Sequence, residues 1–229
     1  MKILLTGANR GIGLATARLL AGAGHEILLT GRDASRIAAE ARRLQTDTGT
    51  SVTGRALDVT DAAACQRLLD EIVADPAGVD ALVNNAGIFD DLSAGFFEVD
   101  EAAIRRAFEV HFLGAWRLVH GLLPGMNERG FGRIVNLTSG YGGMPPGPGM
   151  TAYRVAKNAV NALTRIAAHE TRGEVKINAV DPGWVATDMG GPTAPRTAAE
   201  AAADLAHAVL LPADGPNGAL LRYQKPVDW

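Results

Sequence analysis

The chain has 229 residues, enough for one sizeable hydrophobic core and typical of a single large domain. Its hydrophobic content of 47% excludes a disordered chain, and a formal net charge of −3 gives no electrostatic reason to expect nucleic acid or an anionic membrane as a partner. The single cysteine, Cys65, cannot form an internal disulfide, and no apolar run approaches the roughly 20 residues of a membrane helix, so we expect a cytoplasmic protein without membrane contact.

The first predicted strand, residues 2–6, ends in a glycine-rich turn. The turn reads Gly7-Ala8-Asn9-Arg10-Gly11-Ile12-Gly13, and a helical pattern follows to Ala23. Glycines between a strand and a helix let the backbone approach a pyrophosphate, and the helix N-terminus adds N–H groups and a positive dipole. The spacing is G-x-x-x-G-x-G instead of G-x-G-x-x-G, but the strand before it and the helix after it favour a dinucleotide site.

The second predicted strand, residues 26–30, bears on the choice of cofactor. An NAD-preferring unit places an acidic residue near the end of this strand, where it binds the ribose 2′-hydroxyl. Gly31 occupies that position here, Arg32 follows it, and Arg10 lies on the glycine turn. Either arginine alone could be a solvated loop charge. Two of them at a site without its acid favour NADP, whose 2′-phosphate a guanidinium binds bidentately, and Asp33 is then expected to cap the next helix.

The remaining elements continue the alternation of strands and helices. In order, they are a strand at 51–57, a helix capped by Thr60 or Asp61 and ending at about 74, a strand at 79–83, a helix at 100–123, a strand at 133–137, a helix from 151 to about 171, a strand at 175–180, a helix at 197–211 and a strand at 219–221. This alternation predicts right-handed crossovers and a parallel sheet covered on both faces. We therefore predict one Rossmann-type, doubly wound α/β domain of about seven strands over residues 1–229.

The most informative stretch is residues 151–157, in which Tyr153 and Lys157 are four positions apart. In a helix, both side chains leave the same face. A neighbouring ammonium favours the phenolate and lowers the tyrosine pKa from its ordinary value of roughly 10 toward the range of a general acid or base. Alone, such a pair is more often a core-edge aromatic and a solvated amine, so the interpretation depends on the motifs around it.

With these residues identified, the chain resembles the short-chain dehydrogenase/reductase family over its whole length. The matching landmarks, in order and at family spacing, are the turn at 6–13, Asp58, the run at 84–87, Ser139, Tyr153 with Lys157, and Pro182-Gly183. The segment 183–189, the helix after it and residues 225–229 look like the NADPH-dependent carbonyl reductase branch. Many members of that branch carry a long insertion before the tyrosine, whereas only 13 residues separate Ser139 from Tyr153 here.

The resemblance implies catalytic roles for Ser139, Tyr153, Lys157 and His111. Tyr153 would protonate the carbonyl oxygen, Ser139 would donate a hydrogen bond to the same oxygen, and Lys157 would lower the tyrosine pKa and bind the nicotinamide ribose. Ser139 could instead be a strand-end hydroxyl that satisfies a turn. Family members usually have an asparagine at the position of His111, where it helps to hold a water in the proton path. Histidine can replace it as donor and acceptor, or be a neutral core-edge residue.

The resemblance also implies the cofactor-binding positions. Asp58 would accept from the adenine amine unless it only caps a helix, Thr187 would touch the carboxamide unless it is a loop hydroxyl, and the run at 84–87 would line the adenosine ribose and support the sheet. The predicted set is Gly7, Asn9, Arg10, Gly11, Ile12, Gly13, Arg32, Asp58, Val59, Asn85, Ala86, Gly87, Tyr153, Lys157, Pro182, Gly183, Val185 and Thr187. The histidines show no metal-ligand spacing, and we predict no metal.

These residues predict an NADP(H)-dependent oxidoreductase that interconverts a small-molecule ketone or aldehyde and an alcohol. The alternatives are a 3-oxoacyl thioester reductase, a secondary-alcohol dehydrogenase, or an NADP-binding regulatory protein that has lost turnover. A short substrate lid at about 188–197 suggests an open pocket, with apolar walls from Phe89, Phe96, Phe97, Tyr141, Met144 and Trp184. The resemblance suggests that the two long helices, at 100–123 and 151–171, pair across a two-fold axis, so we expect a homodimer or homotetramer.

Overall fold

One sheet of eight strands organises the computed structural model, which describes residues 1–89, 95–143, 145 and 147–229. Its strands are β1 (Lys2–Leu5), β2 (Glu26–Gly31), β3 (Val52–Ala56), β4 (Ala81–Asn84), β5 (Phe131–Leu137), β6 (Glu174–Asp181), β7 (Leu220–Arg222) and β8 (Lys225–Val227). Met144, which the sequence placed in the substrate pocket, lies outside the described residues.

Helices cover both faces of this sheet. They are α1 (Gly11–Gly22), α2 (Ala34–Thr48), α3 (Ala62–Ala74), α4 (Glu101–Ala107), α5 (Gly114–Arg129), α6 (Thr151–Ala168) and α7 (Ala198–Val209), with a π-helical turn (Phe108–Leu113) between α4 and α5 and a 3-10 helix (Gly140–Gly143) after β5. Within the described ranges, none of the helices is both long and apolar enough to cross a membrane.

The strand order β3-β2-β1-β4-β5-β6-β7-β8 confirms the doubly wound fold. Strands β1 to β7 pair in parallel, and the order reverses between β1 and β4, which opens a ligand crevice at the carboxyl ends of these strands.

The eighth strand, β8, is the difference from the predicted count of about seven. It pairs antiparallel with β7 through a turn at Tyr223 and Gln224, both at positive φ. Positive φ at both central residues is the geometry of a type I′ hairpin. The sequence lacks the Asn-Gly or Asp-Gly pair that is typical of such a turn. A three-residue strand with Pro226 at its centre gives no strand pattern either.

Two hydrophobic clusters hold the helices against the sheet. Because side chains alternate along a strand, Ile3 and Leu5 face the cluster that includes α1, α2 and α7, whereas Leu4 faces the cluster that includes α3 and α5. All three residues are completely buried. This agrees with the prediction, made from the continuous apolar run, of a strand covered on both faces.

Two helix caps follow the sequence prediction. The Asp33 carboxylate accepts a hydrogen bond from the Arg36 N–H at 3.0 Å and begins α2. Of the two candidates for α3, Asp61 is the cap, accepting from the Ala64 N–H at 2.9 Å. The other candidate, Thr60, instead donates its hydroxyl to Asp58 at 2.8 Å.

The predicted single α-helix at 100–123 is wrong in two respects. The π-helical turn interrupts it, and α5 continues to Arg129, where Gly130 ends it in the left-handed conformation. A π-helical turn adds a residue to the helical repeat, yet the apolar stripe continues on both sides of it, so the sequence pattern does not reveal the change. Such turns occur frequently at functional sites, and this one carries His111.

Candidate active site

The glycine turn between β1 and α1 packs closely against the end of β4. A Cβ added at Gly7, which has φ +61°, would lie 2.8 Å from the Ala86 Cα, and one added at Gly13 would lie 2.5 Å from the Asn85 side-chain nitrogen. That side chain donates to the Thr6 and Gly7 carbonyls at 2.8 and 3.0 Å. Gly7 and Gly13 are therefore required for packing, and Asn85 fixes the shape of the turn.

A cavity of about 790 Å³ opens beside this turn at the carboxyl edge of the sheet. Its volume lies in the range of small-molecule and cofactor sites. The predicted cofactor residues that line it are Gly7, Asn9, Arg10, Gly11, Ile12, Arg32, Asp58, Val59, Asn85, Ala86, Gly87 and Thr187. The cavity and its lining fit a dinucleotide, because a glycine turn, a helix N-terminus and two arginines converge on it.

Three residues at this cavity bear on the choice of cofactor, namely Gly31, Arg32 and Arg10. A Cβ at Gly31 would lie 3.2 Å from the Asn9 side-chain oxygen and 3.4 Å from the Ile37 Cδ1, so a carboxylate there would need its neighbours to move. Arg32 lines the cavity. Arg10 forms an ion pair with Asp188 at 2.6 Å, and both side chains are exposed. Exposed ion pairs are weak, so Arg10 can exchange this partner for another anion.

Tyr153 lies on the first turn of α6, and its ring is enclosed by three side chains. Phe89 and His111 pack against the ring nearly edge to face, with centroid distances of 4.8 and 5.4 Å. The Lys157 Nζ lies 5.6 Å from the centre of the same ring. The predicted pair is therefore together on one face of α6.

The Lys157 ammonium is buried, with 4% of the residue exposed. Its Nζ donates a hydrogen bond to the Leu137 carbonyl, the last of β5, at 2.7 Å. Burial lowers the pKa of Lys157 from 10.5 to about 7, against the opposing charge of Asp181. The lysine consequently gains and loses its proton near neutral pH.

Ser139 lies two residues beyond Leu137 at the same edge of the sheet. Its hydroxyl accepts a hydrogen bond from the Tyr141 N–H at 3.3 Å, as the turn interpretation expected. A hydroxyl that accepts at one lone pair keeps its own hydrogen for donation, so this contact is compatible with either role.

His111 is buried in the π-helical turn, with 3% of the residue exposed. Its Nε2 lies 2.8 Å from the Ile88 carbonyl oxygen and 3.3 Å from the Ile88 backbone nitrogen, which is itself a donor. The shorter contact, to the carbonyl, favours the ring proton on Nε2. Burial first, and then the charge of Lys157, hold the pKa of His111 well below its ordinary value, so the ring is neutral. The Nδ1 is therefore a buried acceptor, and it has no hydrogen-bond partner among the described residues.

A second cavity, of about 10 Å³, lies between His111 and Lys157. Its wall includes Asn84 and Leu137. This volume is at the lower limit for one internal water, which needs two to four polar partners, and the wall includes the polar residues Thr6, Asn84, His111 and Lys157.

Other predicted residues lie outside the large cavity. Gly183 packs against the Tyr223 hydroxyl, and the Val185 side chain is buried where residue 185 pairs with Arg196 at the base of the lid segment. Pro182 precedes them, and its carbonyl accepts a hydrogen bond from Arg196. Of the predicted apolar walls, Phe89 contacts Tyr153, whereas Phe96 and Phe97 pack on each other and stay exposed.

The family of the chain follows from comparison with known proteins. A family model for short chain dehydrogenases matches residues 1–198. The chain belongs to the short chain dehydrogenase family. Carbonyl reductase [NADPH] 1 from Sus scrofa is 30% identical over 279 aligned positions, which cover 99% of this chain and 93% of the relative. This alignment is longer than the chain, so the relative has residues that this short chain dehydrogenase lacks.

Solved structures lead to the same family. An alcohol dehydrogenase from Thermococcus sibiricus, complexed with 5-hydroxy-NADP, has a TM-score of 0.85 and 29% identity, with all of both chains covered. A 3-oxoacyl-[acyl-carrier protein] reductase from Brucella melitensis with bound NAD has a TM-score of 0.84 and 25% identity over 96% of this chain and 88% of that one. This short chain dehydrogenase is therefore an oxidoreductase, and its cofactor choice must be argued from its own residues.

Several residues at the site were missed by sequence reasoning. Arg105, Arg106 and Glu109 line the large cavity, but the sequence does not show how α4 and the π-helical turn are oriented over the sheet. Asp181 was visible as an acid at a strand end, yet its burial was not, because strand-end acids usually serve exposed turns. In the described parts of the chain, no group of three or more His, Cys, Asp or Glu side chains could hold a metal ion.

We expect the substitution Tyr153→Phe to lower turnover by roughly 10²–10⁴-fold and to leave NADPH affinity nearly intact, because the hydroxyl transfers a proton but does not hold the dinucleotide. Steady-state NADPH oxidation and a fluorescence titration measure the two effects. Lys157→Ala is the comparison variant, and it should lose both turnover and NADPH affinity. Activity of Tyr153→Phe within a few-fold of the unsubstituted protein would contradict the role.

We expect His111→Asn to retain activity and His111→Leu to lose most of it, because an amide keeps a hydrogen-bonding group beside the small cavity and leucine does not. Turnover of the three proteins is compared at one pH after thermal unfolding has shown that each is folded. Equal turnover in all three would return His111 to a purely structural role.

Proposed function

We propose that this protein is an NADP(H)-dependent oxidoreductase that interconverts a ketone or aldehyde and an alcohol by hydride transfer. The observation that carries the proposal is the buried Lys157 ammonium, which shares a helix face with Tyr153 and titrates near neutral pH. A tyrosine beside such a lysine is suited to exchange protons under physiological conditions.

The cofactor would be held by the glycine turn, Arg10, Arg32, Asp58, the residues 85–87 and Thr187. Bound NADPH would supply the hydride that reduces the carbonyl carbon. Tyr153 donates its proton to the carbonyl oxygen as negative charge develops there, and Ser139 donates a hydrogen bond to the same oxygen. The Lys157 ammonium stabilises the phenolate that remains.

Tyr153 must then regain a proton, and the small cavity supports a route. The neutral His111, whose buried Nδ1 has no hydrogen-bond partner among the described residues, and Lys157 both line this cavity. Lys157 would give a proton to the phenolate, and a water held in this cavity would then return a proton from solvent to the lysine. In alcohol oxidation, the same groups act in the reverse order.

The preference for NADP rests on charge at the adenosine ribose. Arg10 and Arg32 both line the large cavity, and Gly31 leaves the position of the NAD-binding acid without a carboxylate. A charge-assisted hydrogen bond contributes about 1.5–3 kcal/mol, so two such contacts correspond to a preference on the order of 10²-fold or more.

The proposed activity is tested by mixing the purified protein with NADPH and a panel of ketones and aldehydes and following the loss of NADPH absorbance. The second candidate, a 3-oxoacyl thioester reductase, is supported by the similarity to the Brucella structure and is distinguished by including an acetoacetyl thioester in the panel. A secondary-alcohol dehydrogenase is tested with alcohols and NADP⁺. Absence of turnover with every substrate would favour the regulatory alternative.

We expect kcat/KM with NADPH to exceed that with NADH by about 10²-fold or more on one carbonyl substrate. Arg32→Asp should remove most of this preference, because a carboxylate repels the 2′-phosphate. Arg43→Asp reverses the same charge on the exposed part of α2, and it serves as the control that should keep the preference. Equal kcat/KM for the two cofactors, or an NADH preference at low salt, would contradict the assignment.

We also propose that the protein assembles as a homodimer or homotetramer through α5 and α6. Large apolar side chains are exposed on these helices, namely Trp116 on α5 and Val155 on α6. Light scattering at micromolar concentration should give two or four times the mass of the chain. Trp116→Glu should shift the protein toward monomer, whereas Val73→Glu on α3 should not. A clean monomer without substitution would contradict the assembly.

A further inference from the structure

A buried carboxylate, that of Asp181, lies beside the proposed acid–base pair and has no part in the mechanism above. Asp181 is the last residue of β6 and is 2% exposed. Its Oδ1 accepts a hydrogen bond from the Gly183 N–H at 2.9 Å, and its Oδ2 lies 3.3 Å from the Arg222 Nε. The Arg222 side chain is 47% exposed, so water screens its charge and the carboxylate keeps much of its own. Burying a carboxylate costs free energy when so little positive charge lies beside it, which indicates that the charge has a role in this protein.

The strand register places Asp181 next to the groups that hold Lys157. Leu137 of β5 pairs with Val180 of β6, and the Leu137 carbonyl is the acceptor for the Lys157 Nζ. A Cβ added at Gly140, the residue after Ser139, would lie 3.1 Å from the Asp181 Oδ2. The carboxylate is thus at the same edge of the sheet as the Ser139 backbone and the ammonium, and its charge favours the protonated lysine.

Other charges around Lys157 are few in the described part of the chain. Its own helix presents Tyr153 and, three positions before the lysine, the buried Arg154, whose guanidinium donates to the Gly147 carbonyl at 2.6 Å. The π-helical turn presents the neutral His111. The 3-10 helix contributes the phenol of Tyr141, and α4 meets α6 through the apolar Ala107 and its neighbours. On the side of β5, the contact to the lysine is a carbonyl.

We propose that Asp181 is a positioning residue that favours the protonated form of Lys157, and that Arg222 limits its effect from the solvent side. The proposal deepens the proposed function and rests on it for its catalytic meaning. It would explain why a charge is retained at a buried strand end. It also makes Arg222, on β7, a residue that adjusts the site without touching it.

The two charges must act with opposite signs. Removing the negative charge of Asp181 destabilises the ammonium, so Lys157 loses its proton at lower pH. Removing the positive charge of Arg222 leaves Asp181 less compensated, so Lys157 keeps its proton to higher pH. A negative charge raises the pKa of a phenol and of an amine alike. The sign is therefore the same whichever group loses its proton first.

The test is an NMR titration of the lysine side chains in protein labelled with 13C-lysine, which needs no turnover. The chain has four lysines, Lys2, Lys157, Lys176 and Lys225, and Lys157→Met assigns the resonance in question. We expect Asp181→Asn to lower the titration midpoint of Lys157 by about one pH unit. Arg222→Gln should raise it by a smaller amount, because the guanidinium is partly screened.

Matched variants separate this effect from structural damage. The side-chain oxygen that Asp181→Asn retains can still accept from the Gly183 N–H, Arg222→Lys retains the charge, and the other three lysines report whether the protein remains folded. Asp204→Asn also neutralises a buried aspartate, one that pairs with Arg196 at 2.8 Å, and it should leave the Lys157 midpoint unchanged.

An unchanged midpoint in Asp181→Asn, or shifts of the same sign in Asp181→Asn and Arg222→Gln, would overturn the proposal. Because the titration is read on the protein without substrate, its outcome does not depend on whether any carbonyl is reduced. Absence of turnover with every carbonyl compound in the panel would contradict the proposed function. An unchanged Lys157 midpoint would contradict only the role of Asp181.

Discussion

The hydrogen bond from the buried Lys157 ammonium to the Leu137 carbonyl is the interaction on which the site depends. It fixes the amine at 2.7 Å from the Leu137 carbonyl at the end of β5, in the interior of the protein. Burial brings the pKa of Lys157 to about 7, so this amine can respond to small changes in its neighbours. The neighbours that can change the protonation of this amine are Tyr153 on the same helix face, His111 in the π-helical turn and Asp181 at the end of β6.

Buried polar contacts between the sheet and α6 hold this arrangement in register. The Asn84 side chain donates to Asn136, and Asn136 donates to Thr164 on α6, at 2.8 and 2.9 Å. Thr138 donates to Asn161, also on α6, at 2.6 Å. Because buried polar groups must find their partners, these contacts set the rotation and height of α6 over β5. The helix face that carries Tyr153 and Lys157 consequently points to the carboxyl edge of the sheet, where the large cavity opens.

The sequence predicted the parallel doubly wound sheet because its strands are continuous apolar runs. It predicted the cap at Asp33, and a cap at either Thr60 or Asp61, because these residues precede helical patterns. It also placed Tyr153 and Lys157 on one face, since helical spacing decides that. The π-helical turn, the β7–β8 hairpin and the burial of Asp181 could not be predicted. Each depends on tertiary packing. The π-helical turn adds a residue without breaking the apolar stripe, and the hairpin turns without a glycine. Asp181 is buried because neighbouring segments cover the end of its strand.

The central claim is that the titration of the buried Lys157 controls proton transfer by Tyr153. The pH dependence of kcat/KM for NADPH, measured with one reducible carbonyl compound, tests it most directly because this constant reports ionisations of the free enzyme. The account predicts that kcat/KM falls on the alkaline side with a midpoint close to the Lys157 pKa of about 7. A profile that stays flat up to the ordinary lysine pKa of roughly 10.4 would contradict it.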